Sequence, residues 1–156
     1  MCESNKRIKE DPYFIVELET GYATLGWHQR FKGYTVFICK QHASELHELE
    51  TSYKIKYLEE MALVAEAVFN TVNPEKLNYE LLGNGISHLH WHIYPRIPGD
   101  TPRKGPVWWL PKEELFDDAT RPDEKERTQM IERLKSEITR LKAIKQIEVF
   151  KTPEQP

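Results

Sequence analysis

Cysteine, long apolar runs and a strong charge of either sign are all scarce in this sequence. Only Cys2 and Cys39 are present, so a structural disulfide is not expected and a reducing cytoplasm fits best. No run of eighteen apolar residues occurs, and the opening "MCESNKRIKEDP" is charged, which argues against a membrane span and a signal peptide. The net charge of −3 gives no general attraction to nucleic acid or anionic membranes, so any affinity for phosphate must be local.

What the sequence does contain is typical of one folded domain. At 156 residues the chain is long enough to bury a hydrophobic core. Hydrophobic residues make up 39% and charged residues 30%, which favours a globular protein over a disordered one.

Strand and helix patterns alternate along the chain. Runs rich in alternating or β-branched apolar residues predict two strands within 13–27, around a turn at Thr20 and Gly21, and further strands within 33–40 and 77–82. Between them, apolar residues at three- and four-residue steps predict a helix from Ser52 to Val72.

The C-terminal third begins with a loop and ends in a helix. Five prolines between Pro95 and Pro111 predict an extended loop. A last helix is expected near Pro122, with Thr120 and Asp123 as a capping box. The fold class is therefore α+β: a mostly antiparallel sheet with a central helix and a C-terminal helix. We assign 1–116 to the main domain, 117–150 to a helical extension of it and 151–156 to a disordered tail.

The stretch "ISHLHWHIYPR" places three of the six histidines at His88, His90 and His92. On a strand these imidazoles share one face, while the intervening apolar residues face the core. Incidental surface histidines are one explanation, and a metal site is another. The outer two Cα atoms lie about 13 Å apart along a strand, so one ion could hardly bind all three, although two histidines and a third ligand from elsewhere would remain feasible.

A third interpretation is nucleophilic catalysis. Neutral imidazole is available at physiological pH and can attack phosphorus through a covalent intermediate. The middle histidine, His90, is the natural nucleophile because a histidine lies on either side of it. The other imidazoles, Arg96 and nearby backbone N–H groups could then stabilise the charge of the phosphoryl transition state.

"HLHWHIYPR" resembles the signature of the histidine triad (HIT) family of nucleotide hydrolases and transferases. "RFKGYTVFICKQH", "ELHEL" and "NYELLGN" resemble segments that flank this signature, and "GPVWWLP" resembles the Trp-bearing tail of a small bacterial branch. The resemblance covers about residues 10–116 and implies a HIT-like fold.

The resemblance also implies roles for individual residues. His90 would form a nucleotidyl-histidine intermediate at an α-phosphate, His92 would contact the scissile phosphate or the leaving group, and His88 would orient the cluster. Asn84 matches a polar residue on the turn before the triad, and His42 matches a histidine past an earlier strand, although it could simply cap a turn. Arg96, Asn84, His42 and Trp108 are the predicted substrate-binding residues; Trp108 could stack on a base, seal a dimer or serve packing alone.

Two positions depart from the family pattern. A fourth histidine is common where this chain has Tyr34, and the acidic or amide residue that grips the ribose falls near Gly26. We therefore expect weak discrimination between bases and sugars, and an Asp at position 26 is expected to tighten ribonucleotide binding.

The expected function is hydrolysis of a dinucleoside polyphosphate or a nucleoside phosphoramidate-like substrate. A nucleotidyl transferase or phosphorylase, and a nucleotide-binding regulatory module with little activity, are the alternatives. No cofactor and no bound metal are expected, although Mg²⁺ can accompany a polyphosphate. We expect a cytoplasmic homodimer with a small nucleotide as ligand, and neither nucleic acid nor membrane as a partner.

Overall fold

A five-stranded antiparallel sheet is the centre of the structure, a computed structural model that describes residues 3–151. The strands are β1 (Phe14–Glu17), β2 (Gly21–Leu25), β3 (Thr35–Cys39), β4 (Lys76–Glu80) and β5 (His90–Arg96). Their order in the sheet is β1-β2-β3-β5-β4, so the histidine strand β5 lies between β3 and β4. The predicted α+β class with a mostly antiparallel sheet is confirmed.

Four helices accompany the sheet: α1 (Glu3–Glu10), α2 (Thr51–Val72), α3 (Lys112–Leu115) and α4 (Glu124–Lys151). The sequence pattern predicted α2 and α4 but neither of the short helices α1 and α3. The predicted disordered tail lies, apart from its first residue, outside the described residues. None of the helices in the described range is both long and apolar enough to cross a membrane.

The ends of α2 are fixed by local capping. The Glu50 carboxylate accepts hydrogen bonds from the backbone N–H groups of Ser52 and Tyr53, which would otherwise lack partners in the first turn. At the other end Asn73 adopts a left-handed conformation with φ 54° and donates its N–H to the Phe69 carbonyl, which ends the helix before Pro74.

The hydrophobic core lies between one face of the sheet, α2 and α4. Alternate residues of β3 and β5, including Phe37, Cys39 and Ile93, point into it. Helix α4 supplies a stripe of apolar residues at helical spacing to the same core: Met130, Leu134, Ile138 and Leu141. The helical extension therefore packs with the sheet and α2 rather than apart from them.

A buried carboxylate ties the turn between β1 and β2 to this core. Glu60 on α2, 8% exposed, accepts hydrogen bonds from the backbone N–H groups of Glu19 at 3.0 Å and Thr20 at 2.8 Å. Because these N–H groups belong to a turn, no strand partner satisfies them, and Glu60 supplies the missing acceptor.

The predicted capping box of α4 is wrong in its residues. Asp123 Oδ1 accepts from the Glu126 N–H at 2.8 Å, and Glu126 Oε2 accepts from the Asp123 N–H at 3.3 Å. Thr120 instead lies in a 3₁₀ turn, where its hydroxyl donates to the Asp117 carbonyl. The reciprocal bonds need residues three apart that flank the first turn, and the helix begins after Asp123, so Thr120 lies too early.

Replacing Leu134 by Ala should lower the free energy of unfolding by about 2–5 kcal/mol, because this side chain is 1% exposed in the shared core. The matched control is Lys135→Ala, an exposed position on the same helix, which should change stability by less than about 0.5 kcal/mol. Chemical denaturation of both variants measures the difference. Equal unfolding free energies would show that α4 is dispensable for the domain.

Candidate active site

Strand alternation places the imidazoles and the apolar side chains of the histidine run on opposite faces of the sheet. His90 and His92 lie on the face of β5 that is turned away from the core, whereas Leu89 and Ile93 are 2% and 0% exposed within the core. Strand β5 begins at His90, so His88 lies just before it. All three imidazoles nevertheless line one cavity, as the alternation predicted.

This cavity, which we call the histidine cavity, has a volume of about 520 Å³. Its floor is the outer face of the sheet, with Thr24, Val36 and Ile38 beside the histidines. Aromatic and apolar side chains form most of the remaining wall: Trp27, Phe31, Tyr34, Tyr94, Leu115 and Phe116. A largely apolar cleft with a few convergent polar groups is typical of a small-molecule site.

His90 is held in one tautomer by its own strand. Its Nδ1 lies 2.6 Å from the His88 carbonyl oxygen. Because a carbonyl can only accept, Nδ1 must carry the proton and donate it. The neutral ring then keeps the lone pair on Nε2, which is the nitrogen available for attack on an electrophile.

His88 is anchored to the neighbouring strand. Its Nε2 lies 2.7 Å from the Cys39 carbonyl oxygen at the end of β3, so Nε2 is the donating nitrogen. The exposed ring of His42 lies nearby, with 5.6 Å between the two ring centroids. His88 therefore uses its side chain to bind β3 and its backbone carbonyl to orient His90.

His92 contacts both His90 and a tyrosine. The His90 and His92 rings meet edge to face, with centroids 4.7 Å apart, and His92 Nδ1 lies 2.6 Å from the Tyr34 hydroxyl oxygen. Burial, and secondarily the charge of His90, lower the pKa of His92 to about 4. His92 is therefore neutral at physiological pH.

Tyr34, one of the two departures from the family pattern, is thus part of the site. Its ring stacks on Tyr94 with centroids 4.2 Å apart and planes within 7°. Burial raises the pKa of its phenol well above the usual value, so the hydroxyl stays protonated. The sequence indicated that this position is unusual, because Tyr34 lies where the family often has histidine. The partner of its hydroxyl could not be deduced from residue spacing.

The second departure, Gly26, has a steric explanation. A Cβ atom at this position would lie 2.1 Å from Cδ1 of Tyr34. The expectation that an Asp at position 26 tightens ribonucleotide binding therefore needs correction, because such a side chain would displace the Tyr34 ring.

The four predicted substrate-binding residues lie at or beyond the edge of the histidine cavity. Arg96 donates to Asp100 at 2.7 Å, to Asn78 at 2.8 Å and to the Gly105 carbonyl at 2.8 Å; it lines a separate cleft of about 590 Å³ beside β4. Asn84 and Trp108 are exposed and outside the lining of the histidine cavity. Of the four, only His42 approaches the triad, through His88.

A segment after the proline-rich loop also reaches the site. Leu115 and Phe116 line the histidine cavity, and the Phe116 ring meets the edge of His28 at 5.7 Å. His28 Nε2 lies 3.1 Å from Asp118 Oδ1, which closes this end of the wall. Sequence reasoning missed these contacts, because nothing local in 112–120 indicates which loop it packs against.

The sequence model of the HIT domain matches residues 9–99. "Protein hit" from Bacillus subtilis is 27% identical over 107 residues, which cover 65% of this chain and 68% of that protein.

Solved structures with the same fold include a histidine triad protein from Bradyrhizobium japonicum, 25% identical, with a TM-score of 0.72 over 85% of this chain and 94% of that one. A zinc-bound histidine triad family protein from Mycobacterium smegmatis is 17% identical, with a TM-score of 0.61 over 92% of this chain and 96% of that one. Since the domain model spans more than half of the sequence, the chain belongs to the HIT family.

Proposed function

We propose that this protein is a nucleotide hydrolase of the histidine triad type, which cleaves a dinucleoside polyphosphate or nucleoside phosphoramidate-like substrate at an α-phosphate. Membership of the family supports nucleotide binding or hydrolysis in general. The observation that carries the finer proposal is the bond from His90 Nδ1 to the His88 carbonyl. It presents an unprotonated Nε2 in a cavity large enough for a nucleotide.

In the first step, the Nε2 lone pair of His90 forms a bond to the α-phosphorus. The bond from phosphorus to the leaving group breaks, and its electron pair goes to the leaving atom. The His90 ring becomes cationic, and the hydrogen bond from its Nδ1 to the His88 carbonyl strengthens as the charge develops. This step converts one difficult displacement into two easier ones.

In the second step, water attacks the α-phosphorus of the nucleotidyl-His90. The new phosphorus–oxygen bond forms, the phosphorus–nitrogen bond breaks and its electron pair returns to Nε2. The returned electron pair regenerates the neutral imidazole, and the proton lost by the water passes to solvent. Inorganic phosphate or another acceptor in place of water would make the protein a phosphorylase or transferase, so product chromatography with and without phosphate distinguishes these activities.

Few full charges are available in the histidine cavity to stabilise phosphate. Among the described residues that line it, Arg30 is the only arginine or lysine, and its guanidinium donates to the Asp100 carbonyl at 2.7 Å. The ring N–H groups of His88 and His90 already donate to backbone carbonyls. Stabilisation by an imidazole would therefore depend on His92, in a partly dry site where a hydrogen bond is stronger than in water.

Replacing His90 by Ala should reduce turnover by about a thousandfold or more, because covalent catalysis is lost outright. Mass spectrometry of alkali-quenched wild type during turnover should show one nucleotidyl group on the peptide with His90, since the phosphorus–nitrogen bond survives alkali but not acid. The control is His47→Ala, an exposed histidine outside the cavity, which should keep wild-type turnover. Near wild-type activity in His90→Ala would refute the mechanism.

Catalysis should not need a protein-bound metal. In the part of the chain that the structure describes, no three His, Cys, Asp or Glu side chains are grouped to hold an ion. Chelator-treated protein should keep its fold by circular dichroism and contain no stoichiometric zinc by elemental analysis, although Mg²⁺ can still bind a polyphosphate substrate. Tightly held zinc, with activity that is lost on its removal and restored on re-addition, would favour a metalloenzyme instead.

Adenine and guanine substrates should differ by no more than about tenfold in kcat/KM, or about 1.4 kcal/mol. Apolar and aromatic side chains dominate the cavity wall, and such walls discriminate weakly because the wrong base leaves few polar groups unpaired. Competition between matched adenosine and guanosine polyphosphates measures the ratio. A hundredfold preference for one base would contradict this prediction.

A further inference from the structure

Tyr34 makes a short side-chain hydrogen bond to the triad. Its hydroxyl oxygen is 2.6 Å from His92 Nδ1, and its ring stacks on both His92 and Tyr94. This contact joins the loop before β3 to β5 at the reacting end of the histidine cavity. Because a neutral imidazole carries a single N–H proton, a phenol held so closely to one nitrogen must influence whether the other nitrogen is protonated.

Two arrangements of the protons would satisfy this hydrogen bond. Either Tyr34 donates to an unprotonated His92 Nδ1, or a protonated Nδ1 donates to the phenol oxygen. A phenol O–H is a stronger donor than a neutral imidazole N–H, and an imidazole nitrogen is a stronger acceptor than a phenol oxygen. The first arrangement is therefore favoured, and it places the single ring proton of His92 on Nε2.

The position of the Tyr34 ring is built into the fold rather than incidental. Its Cδ1 would lie 2.1 Å from a Cβ at position 26, so the ring occupies the space that only glycine leaves there. The Gly26 N–H donates to the Tyr34 carbonyl at 2.8 Å, and Gln29 Nε2 donates to the same carbonyl at 3.0 Å. The backbone and the side chain of Tyr34 are thus both fixed.

We propose that Tyr34 is a positioning residue that fixes His92 as a neutral Nε2–H donor, and that the site consequently prefers phosphoanhydrides to phosphoramidates. This inference rests on the proposed function and adds a substrate class to it. Gly26 is part of the same arrangement, because its lack of a side chain leaves space for the phenol ring.

The preference follows from what each leaving group requires. When His90 Nε2 attacks an anhydride, the phosphorus–oxygen bond breaks and the leaving phosphate departs as an anion, which needs only a hydrogen bond from His92 Nε2–H. When it attacks a phosphoramidate, the breaking phosphorus–nitrogen bond leaves a basic amine that must gain a proton. A neutral His92 could supply that proton only by becoming an imidazolate, which is unfavourable. Its pKa of about 4 leaves almost no cationic form at pH 7.

The tautomer is tested first, without any substrate. ¹⁵N-resolved NMR of wild-type protein should show His92 with Nε2 protonated and Nδ1 unprotonated. In Tyr34→Phe the pKa of His92 should rise, because the neutral ring loses a hydrogen bond that stabilises it. The other titratable groups that face this ring are unchanged in this variant: His90 and Tyr94 on β5, and Glu80 opposite it on β4. A proton on Nδ1 in wild type, or an unmoved His92 titration in Tyr34→Phe, would overturn the assignment.

The substrate class is tested by kinetics at pH 7 with diadenosine tetraphosphate and adenosine 5′-phosphoramidate. We expect wild type to favour the anhydride by about tenfold or more in kcat/KM. Tyr34→Phe should lose about tenfold in kcat on the anhydride with little change in KM, as the loss of a transition-state contact requires. Gly26→Ala should reproduce this loss, because it displaces the same ring. Equal or faster cleavage of the phosphoramidate by wild type would overturn the preference.

The matched control is Tyr57→Phe. Tyr57 is also buried, and its hydroxyl donates to the Phe37 carbonyl at 3.4 Å on the core side of β3. It should keep the wild-type substrate ratio and His92 titration, and a change in Tyr57→Phe equal to that in Tyr34→Phe would show a merely structural effect. If neither substrate transferred a nucleotidyl group to His90, the proposed function itself would fail, whereas the NMR result would still decide the Tyr34–His92 bond.

Discussion

Strand β5 is hydrogen-bonded on both sides, and this constraint determines where His90 and His92 point. Its pairing with β3 sets Val36 opposite His92, and its pairing with β4 sets Glu80 opposite the same residue. A slip of one residue would exchange the faces and put imidazoles into the core in place of Leu89 and Ile93. The hydrophobic core therefore enforces the orientation of His90 and His92, and packing on one face of the sheet fixes the imidazoles on the other.

Within this frame, short hydrogen bonds to fixed acceptors and donors give each imidazole a different role. The carbonyl of His88 takes the Nδ1 proton of His90, and the carbonyl of Cys39 takes the Nε2 proton of His88. These acceptors are backbone atoms, so a change of side chain nearby cannot remove them. Only His92 depends on a side chain, the phenol of Tyr34. This histidine is therefore the one whose proton can be altered by sequence without disturbing the strand.

Sequence periodicity predicted the features of the site that arise from local geometry. The two-residue alternation around His90 and the helical spacing in 52–72 both appear in the structure as β5 and α2. The contact of Tyr34 with His92 joins residues 58 positions apart, and that of His28 with Asp118 joins residues 90 apart. Such pairs depend on how loops pack, about which periodicity carries no information. Arg96 illustrates the same limit of sequence periodicity. It closely follows the histidines in the sequence, but its guanidinium pairs with Asp100 instead of lying in the histidine cavity.

The two departures from the family pattern can be understood as one steric exchange. A tyrosine is larger than the histidine that is common at position 34, and its ring needs the volume that a side chain at position 26 would occupy. The lack of a side chain at position 26 and the presence of a phenol beside His92 are then consequences of a single packing solution. Under the proposed function, a polar contact to the sugar, which would act equally in ground and transition states, would be replaced by a contact at the reacting phosphate. Contacts of the second kind raise kcat, whereas those of the first kind mainly lower KM. Such a site would concentrate its specific interactions on the phosphate chemistry and leave the nucleoside to the apolar wall.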